Sequence, residues 1–86
     1  MGNPFKELRE QLRLNVKDMG IIAGVTLNSV YKAEAGEPAE PWRYALGLEK
    51  AGLVVALDIL EDYAAWRKDV QKSKRDEARK LLEGVA

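Results

Sequence analysis

The stretch Leu14–Gly36, LNVKDMGIIAGVTLNSVYKAEAG, decides how this chain is read. Met19 and Ile22 form one apolar edge, the Ala23-Gly24-Val25 break follows, and Val30 and Ala33 resume the apolar spacing. These positions predict two short helices, Val16–Ala23 and Leu27–Ala35, with only Gly24, Val25 and Thr26 between them. Gly24 has no Cβ to clash in the left-handed conformation that ends a helix abruptly. Thr26 suits the N-cap of the second helix, where its hydroxyl accepts an orphan amide. Gly20, one turn before the break, leaves room for the two helices to cross closely.

Outward from that pair, Asn3-Pro4 opens a first helix, with Asn as cap and Pro where its missing amide costs nothing. Phe5, Leu8 and Leu12 then repeat at helical spacing until about Arg13, and Asn15 caps the helix that follows. Gly36 to Pro41 reads as a loop by its glycine and two prolines. A fourth helix starts at Pro41, with Trp42, Ala45 and Leu46 on its inward edge and Leu48 extending the stripe, and it stops at Gly52. Gly47 inside it marks a close helix contact, since glycine there costs about 1 kcal/mol relative to alanine.

From Asp58 the helical signal is strong. Ile59, Tyr63, Trp66 and Val70 share one face, and Asp58, Glu61, Asp62, Ala65, Asp69, Lys72 and Asp76 share the other. Asp58 and Glu61 have a capping-box spacing, and the pattern runs on to Leu81 and Leu82, a helix of about 25 residues. Leu53–Leu57 reads as the first turn of that helix or as a short strand, because Val54 and Val55 are β-branched. The expected fold is all-α, about five helices with an extended C-terminal one. Residues 1–57 form the bundle, and residues 58–86 form the long helix that serves core packing and dimerisation.

Composition narrows the function. The chain has 86 residues, 47% of them apolar, which suits one small core. No apolar run approaches the roughly 20 residues of a membrane-spanning helix. The N-terminus lacks the layout of a secretion signal, so a cytoplasmic location is expected. With no cysteine and no histidine, disulfides, thiol nucleophiles, imidazole bases and zinc fingers are excluded. No carboxylate or lysine cluster suggests catalysis, and no cofactor, metal or small-molecule ligand is expected. Fourteen basic residues balance fourteen acidic ones, which predicts weak non-specific affinity for a polyanion.

The same residues resemble the Cro and lambda-repressor class of helix-turn-helix regulators, the Xre family, from Phe5 to about Leu57. The matching elements are Leu8-Arg9 with Leu12-Arg13, Leu14-Asn15-Val16, Gly20, Ala23-Gly24-Val25-Thr26, Val30, and the Glu34-Ala35-Gly36 close. The resemblance implies a lambda-repressor-like bundle that binds a palindromic double-stranded DNA operator as a homodimer. Two departures stand out. Val16 replaces the usual glutamine and removes a polar contact to DNA, and Ala33 replaces a larger apolar residue, leaving space for Trp42 to fill.

On a helix beginning at Leu27, Val30 and Ala33 face inward, so Leu27, Asn28, Tyr31, Lys32 and Ala35 face outward. Asn28 suits a bidentate contact to adenine, Lys32 suits guanine O6 and N7, and Leu27 suits a thymine methyl. Tyr31, among the base-reading positions, and Ser29, a backbone contact, carry hydroxyls at the flanks of the helix that suit phosphate or sugar. Lys17 and Arg43 are the expected backbone clamps, and Asn15 and Thr26 present helix N-terminal amides to phosphates. Each of these residues alone is equally at home on an ordinary helix surface. Tyr63, Trp66 and Val70 are expected to form the dimer seam, since large aromatics favour interface cores. The leading expectation is a small Cro-type transcriptional repressor, phage-like in size, without catalysis. An antitoxin-like autoregulator, or an interaction module that kept the bundle without DNA binding, is the alternative.

Overall fold

The computed structural model describes residues 2–38 and 40–85, so Ala39 of the expected loop lies outside the described residues. Five helices follow one another: α1 Pro4–Gln11, α2 Val16–Ala23, α3 Leu27–Ala35, α4 Trp42–Lys50 and α5 Ala56–Val85. The fold is all-α, and no strand occurs among the described residues. None of these helices is long and apolar enough to cross a membrane.

The caps read from the sequence govern the first three helices. Asn3 accepts from the Phe5 and Lys6 amides, Asn15 from Asp18 and Thr26 from Ser29. Gly24, at φ 69°, closes α2 in the left-handed conformation, and the Val25 amide donates to the Gly20 carbonyl at 3.0 Å. A Cβ on Gly20 would lie 3.1 Å from the Val25 carbonyl oxygen, so the α2–α3 turn folds tightly over that position.

Four local expectations need correction. Helix α1 stops at Gln11, two residues short, because Arg13 takes a left-handed conformation at φ 56°; Leu12 becomes the cap residue and is exposed. On α2, Met19 is buried but Ile22 faces outward. On α4, the buried residues are Tyr44, Ala45 and Leu48, whereas Trp42 and Leu46 are exposed, so Trp42 does not fill the space beside Ala33. Residues 53–55 are neither helix nor strand. They form a short link, and α5 begins at Ala56 because the Glu49 carboxylate on α4 accepts the Ala56 amide at 2.7 Å. That long-range cap replaces the expected Asp58–Glu61 box, and Asp58 instead sits in the first turn, where the helix dipole favours a negative charge.

The core is aromatic at its centre. Phe5 stacks on Tyr44 at 4.8 Å between ring centroids and meets Tyr63 edge-on at 5.2 Å. Met19, Val30, Ala33, Leu48, Ile59 and Leu60 close around these rings. Burial pushes the Tyr44 and Tyr63 hydroxyls above the ordinary phenol range. Neither hydroxyl has a hydrogen-bond partner among the described residues. Tyr63 is 0% exposed, so its assignment to a dimer seam is wrong: the ring is already enclosed by its own subunit. The first turns of α5 are part of the same core, and the boundary expected at residue 57 falls inside it.

From Gln71 to Gly84 every residue of α5 is exposed, and the molecule measures 53 × 23 × 20 Å. At 1.5 Å per residue a helix of this length reaches about 45 Å. Half of it therefore projects beyond the bundle. At the opposite flank α2 and α4 meet at Gly47, where a Cβ would stand only 1.9 Å from the Ala23 carbonyl oxygen. No side-chain rotation relieves a clash with backbone. Gly47→Ala should therefore lower stability by about 1–3 kcal/mol in urea unfolding, despite the better helix propensity of alanine. An unchanged midpoint would show that α2 and α4 do not touch there.

Candidate nucleic-acid interface

Helix α3 is held from behind at its C-terminal end, where four side chains from other elements converge. The Asn3 amide that caps α1 also donates through Nδ2 to the carbonyls of Ala33 at 2.9 Å and Glu34 at 3.0 Å. Arg9 forms a two-pronged pair with Glu34, Nε to Oε2 at 2.9 Å and Nη2 to Oε1 at 2.8 Å, and donates a third bond to the Leu14 carbonyl. The hydrogen bond to Glu34 is the main reason the Arg9 guanidinium holds its proton more firmly than usual. From α5, Arg67 Nε donates to the Gly36 carbonyl at 2.9 Å, and the Trp66 ring presses on the Gly36 Cα. The carbonyls of Glu34 and Gly36 at the end of α3 thus take their partners from Asn3 and Arg67, and the Ala33 carbonyl shares Asn3 with the Gly36 amide.

This anchoring fixes which side of α3 meets solvent. Val30 and Ala33 are fully buried, and Leu27, Asn28, Tyr31, Lys32 and Ala35 are exposed, as their spacing requires. Asn28, Tyr31, Lys32 and Ala35 border one shallow hollow of about 170 Å³ together with Glu37. Ser29, Lys32 and Arg43 meet around a second hollow, of about 260 Å³, with Trp42 and Glu40. The two hollows share Lys32. The surface they form runs from the outer side of α3 to the first turn of α4.

The remaining expected contacts fall at the edges. Thr26 and Ser29 are joined hydroxyl to hydroxyl at 2.9 Å, and Thr26 Oγ1 also accepts the Ser29 amide at 3.2 Å. Their two oxygens are therefore committed first to the cap, with one hydroxyl hydrogen left to donate outward. Asn15 likewise spends Oδ1 on the Asp18 amide. Lys17 and Leu27 are exposed but border neither hollow. Of the expected seam, Trp66 and Val70 are half-buried beside Ala35 and Gly36, and Tyr63 belongs to the core.

Electrostatically the surface is mixed. Glu37 and Glu40 stand among Lys32 and Arg43, and Trp42 Nε1 donates to Glu40. Two carboxylates here oppose a polyanion, which the neutral total charge foreshadows. The described residues hold no cluster of three acidic groups able to bind a metal ion. Comparison with protein-family models, curated proteins and solved structures finds no match to this chain.

The anchoring residues escaped the sequence reading. Asn3 is legible as a cap but not as a clamp on a helix 30 residues away, and no periodic signal pairs Arg9 with Glu34. Asn3 and Asn15 separate the two roles. Asn15→Ala removes an exposed cap and should cost about 1 kcal/mol. Asn3→Ala removes a cap and leaves the Glu34 carbonyl without its partner, while the Ala33 carbonyl keeps the Gly36 amide, so it should cost about 2–3 kcal/mol in chemical denaturation. Equal losses would mean that Asn3 does not tie α1 to α3.

Proposed function

We propose that this protein is a sequence-specific DNA-binding regulator of the Cro type, which inserts the outer side of α3 into the major groove. The observation that carries the reading is the exposed run Asn28, Tyr31, Lys32 and Ala35 on a short helix whose inner side is buried and whose end is anchored. A major groove about 12 Å wide admits one such helix, and its base edges present donors and acceptors that Asn28 and Lys32 match. Arg43, which borders the second hollow together with Ser29, would neutralise a phosphate there. The resemblance to the Xre family supports the same reading and adds a palindromic operator bound by a two-fold dimer. With Tyr63 enclosed, the half-buried Trp66 and Val70 and the exposed Leu81 and Leu82 of the projecting half of α5 are the apolar positions on that helix open to pairing. Such a protein acts by occupying its operator in the cytoplasm, and no catalysis is involved.

A second reading is an interaction module without DNA binding. It is favoured by an open hollow of about 590 Å³ between α2 and α4, where Ile21 is 68% exposed beside Ile22 and Leu46. The carboxylates on the α3 surface favour it too.

Selection of bound duplexes from a random library, followed by fluorescence anisotropy on the recovered site, separates the two. Asn28→Ala and Lys32→Ala should each weaken binding by roughly 1–3 kcal/mol while leaving the helical signal intact. Glu37→Gln combined with Glu40→Gln should strengthen binding, because it removes like-charge repulsion of the phosphates. No recovered duplex, or binding indifferent to all four changes, would support the interaction module instead.

A further inference from the structure

We propose that Lys74 of α5, with Gln71 beside it, is a DNA-backbone contact that extends the α3 surface onto the C-terminal helix. The inference rests on the duplex-binding reading above. It comes from a third hollow, of about 200 Å³, bordered by Ala35 and Gly36 on one side and by Trp66, Arg67, Gln71 and Lys74 on the other. Ala35 is also a border of the Asn28–Tyr31–Lys32 hollow, so the two hollows adjoin at the C-terminal end of α3.

Two features single out Lys74 among the basic residues of α5. Its position is fixed, because Arg67, two helical turns earlier on the same side, bonds to the Gly36 carbonyl and Trp66 packs on Gly36. The stretch between is helical throughout, which places Lys74 about 10 Å further along the axis. Its surroundings are cationic: the two hollows beside α3 each include a carboxylate, Glu37 or Glu40, whereas this one carries Arg67 and Lys74 and no acid. Lys72, by contrast, lies on the side of α5 that carries Asp69 and Asp76.

A cation held at a phosphate releases a counterion when the duplex binds, so it contributes to the slope of affinity against salt. That slope is read by anisotropy with a random-sequence duplex of about 20 base pairs, between about 50 and 200 mM salt. Lys74→Gln and Lys72→Gln change the net charge equally and sit on exposed helix, so each serves as the other's control. Lys74→Gln should reduce the slope by about 0.9 and weaken binding at the lowest salt roughly five- to fifteenfold, whereas Lys72→Gln should leave the slope unchanged. If the parent protein binds and both variants lose the same amount, Lys74 makes no special contact and the inference is overturned while the duplex-binding reading stands. If the parent protein does not bind duplex at all, both fall together.

Discussion

The structure depends on how the C-terminal end of α3 is fastened. Asn3 grips two of its carbonyls, Arg9 grips the Glu34 side chain, and Trp66 with Arg67 closes over Gly36. A nine-residue helix is too short to be stable alone in water, so its direction must come from packing and from its ends. The buried pair Val30 and Ala33 sets its rotation, and the anchored end sets its tilt. An exposed side chain on α3 therefore has a defined place relative to α1 and α5, without an extensive interface of its own.

The first half of the thirty-residue last helix serves the same arrangement. The first turns of α5 complete the aromatic centre through Ile59, Leu60 and Tyr63, and the next turn supplies the α3 fastening through Trp66 and Arg67. What remains is solvated, with Leu81 and Leu82 at 72% and 75% exposure. Three tasks follow along one rod in order: core, fastening, and a free segment. The acidic Glu37 and Glu40 temper the cations on the α3 side, so any nucleic acid bound there must be held by shape and hydrogen bonding as much as by charge.

Much of this was legible in the residues, for local reasons. Caps, left-handed glycines and the α2–α3 break depend on neighbours within one turn, and Asn3, Asn15, Gly24 and Thr26 behave as their types dictate. The outward positions of α3 follow from helical periodicity alone. The failures are tertiary. Trp42 and Leu46 fit a stripe with Ala45 as well as Tyr44 does, and the stacking of Tyr44 on Phe5 of α1 decides which ring is enclosed. The sequence alone does not tell Tyr63's side, because an aromatic stripe on a long helix looks the same whether it meets its own core or a second copy. The start of α5 depends on Glu49, seven residues earlier, which no capping rule for the helix itself contains.

The central claim is that the anchored α3 presents its outer side to duplex DNA. It is tested most directly by amide chemical-shift mapping of the labelled protein during titration with the selected duplex. The account predicts shifts concentrated at Asn28, Ser29, Tyr31, Lys32 and Arg43, with the core amides of Val30 and Ala33 little changed. Shifts confined to Ile21, Ile22 and Leu46, or none anywhere on α3, would contradict it.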